Sequence, residues 1–182
     1  MLSGLTLAAP AGLNAYIPLL AVALAERLGW LNLASPWDRL GSWWAIALIA
    51  VLLVVEIVAD KVPAVDHAND VIQTVVRPAA GGLLAASSSN GATANSVMLL
   101  VAGILIAGGV HSVKATARPV VNVSTGGAGA PVVSTVEDAL AVVMTVLALV
   151  VPLLAAVAAI ALVVAAIVFI RRRRRRVGPD TA

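Results

Sequence analysis

Two short stripes of ionisable residues interrupt apolar stretches of this sequence. Glu56 and Asp60 lie four residues apart near the end of one apolar run, which places both carboxylates on one face of a helix. His111, Lys114 and Arg118 recur at helical spacing in another apolar run, again on one face. Ionisable groups inside a membrane protein are costly, and they usually mark ion or solute pathways or paired sites.

A third polar face follows shortly after Asp60. Asp66, Asp70, Gln73 and Arg77 recur at helical spacing, with apolar residues on the opposite face. The Gly-rich stretch near Asn122 can offer backbone and amide groups to an ion, although a plain turn would have the same composition. We therefore expect a pathway for a small solute or ion. Its candidate residues are Glu56, Asp60, Lys61, Asp66, Asp70, Arg77, His111, Lys114, Arg118 and Asn122.

The same charges have a structural interpretation. Ion pairs of Glu56 with Lys114, or of Asp60 with Arg118, would hold two helices together. Lys61 can extend its ammonium group toward the lipid headgroups. Since an unpaired charge facing lipid is unfavourable, we expect Glu56 and Lys114 to lie close in space.

Signatures of catalysis and of bound cofactors are absent from the sequence. A lone histidine such as His111 is more often a packing residue than a metal ligand, and the spacing Asp66-His67-Asp70 matches no specific metal motif. Gly126–Gly129 lacks the following Lys-Ser/Thr of a phosphate-binding loop. There is also no cysteine, no nucleophile elbow and no Ser/His/Asp order. We expect no metal and no cofactor, and an enzyme is not favoured.

The composition indicates that lipid is the natural solvent of this chain. Of the 182 residues, 61% are hydrophobic and 12% charged, and the mean hydropathy is +1.03. A water-soluble domain is usually about a quarter charged. Six of the 12 basic residues form the run Arg171–Arg176, while the rest of the chain is acidic overall. Beside an apolar span such a run marks the cytoplasmic end, so no nucleic-acid partner is expected.

The sequence predicts an all-α integral membrane protein, with a single helical domain over residues 1–170 and a basic cytoplasmic tail over 171–182. A span needs about 20 apolar residues to cross roughly 30 Å of hydrocarbon. The chain of 182 residues is long enough for a bundle of about six such segments, or for five crossings if the third segment is re-entrant. An arrangement of the six segments as two inverted halves of three segments, as in some transporters, is a further alternative. The segments are predicted at residues 5–28, 36–59, 64–87, 97–117, 134–151 and 152–170.

Prolines and capping residues predict where these segments begin and break. The first should be broken near its start, because Pro10, Gly12, Asn14 and Pro18 interrupt it. Ser35 followed by Pro36 is typical of a helix N-terminus and should begin the second segment.

Three further prolines divide the later segments. Pro78 should interrupt the third segment, and Pro119 should end the fourth before a Gly-rich non-helical stretch, because proline disfavours helix at the preceding residue. Ser134 and Glu137 form the pattern of a capping box that begins the fifth segment. Pro152 divides the last apolar run into a helical hairpin.

The arginine run fixes the predicted topology. With the C-terminus in the cytoplasm, Asp60–His67 and Lys114–Thr135 also face the cytoplasm, and Ser87–Ser96 lies outside. If residues 64–87 do not cross, the N-terminus lies outside instead.

Four stretches carry a family resemblance: GLNAYIPLL (12–20), EIVADKVPAVDHANDVIQTVVRPAAG (56–81), HSVKATARP (111–119) and NVSTGGAGAPVVSTVEDAL (122–140). They resemble the bacterial membrane proteins of domain-of-unknown-function family 4126, over nearly the whole chain. The resemblance implies a small protein of the bacterial cytoplasmic (inner) membrane. It assigns no catalytic role to any residue.

Three functions follow as hypotheses. The first is a transporter or channel for a small solute or ion through the charged residues. The second is a non-catalytic membrane protein that assembles with a partner. That partner can be another protein or a second copy of this chain. The third and least favoured is an enzyme that modifies lipid headgroups with Asp66 or Asp70 as a base. A water-accessible cavity would favour transport, a cavity open sideways to the headgroups would favour the enzyme, and a dry core would favour the structural role.

Overall fold

The computed structural model describes residues 2–88 and 93–176, apart from the side chains of residues 2, 3, 63, 64, 66, 67, 93–95, 152, 153, 155, 156 and 173–176. This part of the chain is all helical and contains no β-strand. Its α-helices are α1 (Leu2–Leu13), α2 (Tyr16–Arg27), α3 (Trp43–Ala59), α4 (Pro63–Ser87), α5 (Thr93–Thr125), α6 (Ala130–Val150) and α7 (Pro152–Arg176), and a 3-10 turn spans Trp37–Gly41.

Helix α1 lies at the centre of the bundle and contacts α2, α4, α5, α6 and α7. Leu7 of α1 belongs to a buried apolar cluster with Val22 of α2, Ile46 of α3 and Leu84 of α4. Five helices therefore pack around α1, and the C-terminal end of α1 at Leu13 lies beside the buried side chain of Lys114.

Helices α4 and α5 form the most extensive helix pair and approach each other through small residues. A Cβ atom on Gly103 would overlap the carbonyl oxygen of Gly81 and the Cβ of Ala85. Such close backbone approach is typical of helix pairs in membranes, where van der Waals packing drives association. This pairing fixes the polar face of α4 against that of α5.

A break within the first segment and one near Pro152 are confirmed, and the first of them lies at Asn14 and Ala15. The first segment is divided into α1 and α2, each of 12 residues. Only Val151 separates α6 from α7, and Ala141 and Met144 of α6 belong to a cluster with Leu162 of α7, as an antiparallel hairpin requires.

The predicted breaks at the two Arg-Pro pairs are wrong. Helix α4 continues through Pro78, and α5 continues through Pro119 as far as Thr125. A proline inside a helix removes one backbone hydrogen bond, and helices packed along their length in an apolar bundle tolerate this loss. The non-helical part of the Gly-rich stretch is confined to a turn over residues 126–129, where Gly126 and Gly127 have positive φ.

Two predicted helix starts are also wrong. Helix α3 begins at Trp43 rather than after Ser35, because the 3-10 turn intervenes and Ser42 takes the extended conformation of an N-cap residue. Helix α6 begins at Ala130 rather than at Ser134, with a proline in its first turn, where proline is well tolerated.

Two helices in the described part of the chain are long and apolar enough to cross a membrane. They are the Ser96–Thr125 stretch of α5, with a mean hydropathy of 2.0, and Ala130–Val150, with a mean hydropathy of 1.9. Large apolar side chains also lie exposed on the outer faces of other helices, among them Val51 of α3 and Phe169 of α7.

Candidate functional site: a buried charge cluster

A fully buried ion pair joins α3 to α4. Nη2 of Arg77 donates a hydrogen bond of 2.8 Å to Oε1 of Glu56, and the two side chains are 0% and 1% exposed. The same nitrogen lies 3.7 Å from Oδ2 of Asp60. Among the described contacts Glu56 therefore pairs with Arg77 and not directly with Lys114. Lys114 is nevertheless close, as expected, because it and Arg77 both lie within 4.0 Å of Oδ2 of Asp60. The helical spacing did place Glu56 and Asp60 on one face, as expected.

Asp60, immediately after the last residue of α3, lies at the centre of a cluster of buried charged side chains. Its Oδ2 accepts hydrogen bonds from Arg118, at 2.9 Å, and from Lys114, at 3.3 Å. Its Oδ1 accepts a hydrogen bond of 2.7 Å from the amide of Asn69. The acidic stripe of α3 and the basic stripe of α5 thus meet here, and the alternative pair of Asp60 with Arg118 is confirmed.

Glu137 brings α6 into the same cluster. Its Oε2 lies 2.7 Å from Nη2 of Arg118 and 3.1 Å from Nζ of Lys114. The sequence suggested a capping role for Glu137, but the carboxylate lies beside two buried cations instead. A carboxylate near the start of a long apolar helix is a signal that could have placed Glu137 in the site.

His111 contacts both sides of the cluster through its two ring nitrogens. Nη1 of Arg77 lies 3.0 Å from Nδ1, and Oγ1 of Thr74 lies 3.1 Å from Nε2. Arginine has only donors, so Nδ1 must accept, and Nε2 then carries the proton and donates to Thr74. The Thr74 hydroxyl in turn donates to the carbonyl oxygen of Asp70. This arrangement requires a neutral His111.

The break between α1 and α2 borders the cluster. Nζ of Lys114 donates a hydrogen bond of 2.9 Å to the carbonyl oxygen of Leu13, the last residue of α1. Oδ1 of Asn14 accepts hydrogen bonds from the backbone nitrogens of Tyr16 and Ile17, so this side chain caps α2. The orphan carbonyl of one half-helix and the N-terminus of the other are both satisfied by polar side chains.

A second, more exposed pair lies beside this break. The amide of Asn14 donates a hydrogen bond of 3.0 Å to Oδ1 of Asp138, and Nζ of Lys61 lies 3.5 Å from Oδ2 of the same residue. The Lys61 side chain is 36% exposed, which places it at the edge of the cluster rather than inside it.

A cleft of about 310 Å³ lies between α4 and α5 at one side of the cluster. Four polar residues line it, namely Asp70, Thr74, Arg118 and Asn122, together with apolar residues such as Val123. Oδ1 of Asp70 lies 3.7 Å from Nη1 of Arg118 and 3.9 Å from Nη1 of Arg77. We call this space the α4–α5 cleft; it connects the cluster with the outside of the bundle.

We call the described side chains that pair within 4.0 Å around Asp60 the charge cluster. They comprise four carboxylates and three cations, which leaves one excess negative charge with His111 neutral. The members are Glu56, Asp60, Asp70, Arg77, Lys114, Arg118 and Glu137.

Some buried polar atoms of the cluster accept or donate no hydrogen bond within the described residues. They are Oε2 of Glu56, Oδ1 of Asp70 and Nε of Arg77, and Oε1 of the neighbouring Gln73 also has no hydrogen-bond partner there. Buried polar groups are normally satisfied, so these atoms are the points of the cluster where a bound proton or water would complete the hydrogen bonding.

The predicted site residues were thus largely brought together, with two exceptions. Lys61 lies at the edge, and Asn122 lines only the cleft; the side chain of Asp66 falls outside the described residues. Sequence reasoning missed Asn69, Thr74 and Glu137 as members of the site.

Comparison with known proteins identifies the family. No curated protein and no solved structure matches the chain. The profile of the family described as "Domain of unknown function (DUF4126)" matches residues 1–172. This range includes every residue of the charge cluster and of the α4–α5 cleft. The chain therefore belongs to the DUF4126 family.

Proposed function

We propose that this protein is a transporter or channel for a small solute or ion in the bacterial inner membrane, with its C-terminus in the cytoplasm. Two apolar helices long enough to cross a bilayer support the membrane location, as does the arginine run after residue 170. The exposed apolar side chains of α3, α5 and α7 are suited to contact lipid. Six membrane segments, with α1 and α2 as two halves of the first, remain the preferred arrangement.

The observation that carries the proposal is the charge cluster beside the broken first segment. Seven charged side chains lie at a point where a half-helix ends, and a cleft reaches two of them from outside. Transporters place their sites at the ends of broken helices, because half-helix dipoles and freed carbonyls can bind ions there. The excess negative charge and the unsatisfied Glu56 oxygen would suit a cationic species or a proton.

A second candidate is a structural cluster in a membrane protein that assembles with a partner. The observation that favours it is the dense pairing, since each of Arg77, Lys114 and Arg118 lies within 4.0 Å of at least two carboxylates. Pairs of this kind fix helices relative to one another without moving any solute.

The test is a flux panel with purified protein in liposomes. Protons, sodium, potassium, chloride and glycine would each be followed against protein-free liposomes and against liposomes that hold heat-denatured protein. The proposal expects at least one species to cross faster with folded protein. Background flux for all five, from protein shown to be folded, would favour the structural candidate.

A further inference from the structure

An apolar groove of about 670 Å³ lies between α5 and α7, with α1 as its floor. Helices α5 and α7 both pack against α1 but make few contacts with each other, which leaves a gap between them. Of the described residues that line this gap, all but Thr6 lack a polar side-chain group. A Cβ atom on Gly109, in the α5 wall, would meet no atom of a neighbouring helix within 4 Å. We call this open space the α1–α5–α7 groove.

We propose that this groove binds an acyl chain of an anionic phospholipid whose phosphate lies beside Arg171. The lipid belongs to the leaflet that faces the arginine run. The inference rests on the proposed function for the membrane location of the chain, and it is independent of solute transport.

The length of the groove matches one leaflet of a bilayer. Its walls run from Leu105 to Val113 on α5 and from Ala159 to Ile167 on α7. Each wall therefore rises about 12 Å at roughly 1.5 Å per residue, and half of a hydrocarbon core of roughly 30 Å is about 15 Å. An acyl chain that lies along the groove would remain within its own leaflet, parallel to the chains of the surrounding lipid.

Positive charge lies directly beyond one end of the groove. Ile167 lines the groove, and Arg171 follows one helical turn later, on the same face of α7 and exposed. This turn adds about 6 Å along the helix axis, toward the headgroup region. Arg171 begins the run of six arginines, and basic clusters next to a membrane helix attract anionic lipid headgroups. The groove and the run together therefore match a molecule with an apolar chain and a negative headgroup.

Other occupants fit these two features less well. A helix about 10–12 Å wide would occupy roughly 900 Å³ or more over the length of the groove, which exceeds the groove volume of about 670 Å³. A helix of a second copy would therefore cover the groove without filling it. A neutral apolar solute would have no attraction to Arg171, and a free anion would have none to the apolar walls. An acyl chain with an anionic headgroup interacts with both.

The experiment uses the full chain purified in detergent and stripped of lipid. Native mass spectrometry measures the retention of phosphatidylglycerol against phosphatidylcholine with the same palmitoyl and oleoyl chains. The proposal expects one retained phosphatidylglycerol per chain, with an affinity about ten-fold or more above that of phosphatidylcholine, because several arginines near the membrane surface each favour an anionic lipid. Glycerol 3-phosphate has the negative group without the acyl chains and should not be retained.

Four variants locate the lipid. Gly109→Phe places a ring in the groove and should weaken phosphatidylglycerol binding about ten-fold or more, because the burial of about two methylene groups accounts for that factor. Val101→Phe is the matched control, since Val101 lies on the same helix, is 49% exposed and does not line the groove. Arg171→Gln should weaken binding about five-fold. Arg39→Gln removes an exposed arginine at the 3-10 turn and should leave binding unchanged.

If Gly109→Phe does not fold, Gly109→Leu narrows the groove with a smaller side chain and should also weaken binding. Equal retention of the two phospholipids, unchanged binding in the folded Gly109 variant, or equal effects of Arg171→Gln and Arg39→Gln would overturn the proposal. A lipid-free dimer as the retained species would assign the groove to a second copy and would overturn it as well.

The lipid site and the transport proposal fail separately. Flux is measured in liposomes with the same five species. Lipid retention without flux would keep the groove site and reject transport, whereas flux without lipid retention would reject the groove site and keep the transport proposal.

Discussion

Nη2 of Arg77 lies 2.8 Å from Oε1 of Glu56, and neither side chain is more than 1% exposed. The bond joins the last turn of α3 to the middle of α4. Two full charges at this depth are stabilised by their pairing, and removal of either side chain would leave the other without its shortest ion pair.

The first prediction is therefore strong coupling between Glu56 and Arg77. Glu56→Gln and Arg77→Met should each lower stability, with losses of up to about 3–5 kcal/mol for a member of a buried pair. The double variant should lose less stability than the sum of the two single-variant losses, with an interaction energy of about 1–3 kcal/mol. Thermal unfolding in detergent measures all four proteins.

The Lys61–Asp138 pair is the matched control for this cycle. Its atoms are 3.5 Å apart and its side chains are 36% and 16% exposed, so solvent screens the attraction. Coupling there should stay below about 1 kcal/mol. Additive effects of Glu56→Gln and Arg77→Met, or equal coupling in the two pairs, would contradict the account of the cluster.

A second prediction concerns the neutral His111. Replacement of His111 by Leu leaves Nη1 of Arg77 without its acceptor at 3.0 Å, which should destabilise the protein by about 1–3 kcal/mol. His111→Gln keeps a side-chain acceptor and should retain part of that stability. Equal melting temperatures for the two variants would show that His111 stabilises the protein by packing and not through its hydrogen bond to Arg77.

The third prediction tests the close approach of α4 and α5. Gly103→Val should destabilise the protein strongly, because the new side chain would overlap the backbone of Gly81. Gly109 is a matched control on the same helix, since a Cβ there meets no atom within 4 Å. Gly109→Ala should be neutral or stabilising by up to about 1 kcal/mol. Similar losses of stability in Gly103→Val and Gly109→Ala would refute the close packing of α4 against α5 at Gly103.

A fourth prediction follows from the length of α4. Its 25 residues extend about 37 Å, enough to cross a bilayer. Single cysteines at Val62 and Ser88 should therefore react with an impermeant reagent from opposite sides of the membrane, and the natural chain, with no cysteine, provides a clean background. Reaction from the same side would mean that α4 does not cross.

The sequence was informative about the site because charges are rare in apolar helices. Glu56 and Asp60 stood out at helical spacing, as did Lys114 and Arg118, and the structure brings the two stripes into contact. Which cation pairs with which carboxylate depends on the rotation of each helix about its axis. That rotation is set by tertiary packing, so the choice of Arg77 over Lys114 as the partner of Glu56 was not predictable.

The fold was predicted best where a break is supported by more than one residue. Asn14 breaks the first segment because its side chain also caps the following helix, whereas Pro78 and Pro119 lie in helices held by close packing. Glu137 was assigned to a local cap because the sequence pattern fits one. Its actual partners, Lys114 and Arg118, are distant in sequence.

The most direct test of the central claim is flux through Glu56→Gln in liposomes, for the species that the panel identifies. Glu26→Gln is the matched control. Oε2 of Glu26 accepts a hydrogen bond from the backbone nitrogen of Leu33, and the side-chain oxygen of a glutamine can accept the same hydrogen bond. The account predicts that Glu56→Gln reduces flux at least ten-fold in folded protein while Glu26→Gln does not. Wild-type flux through folded Glu56→Gln would contradict a transport role for the charge cluster.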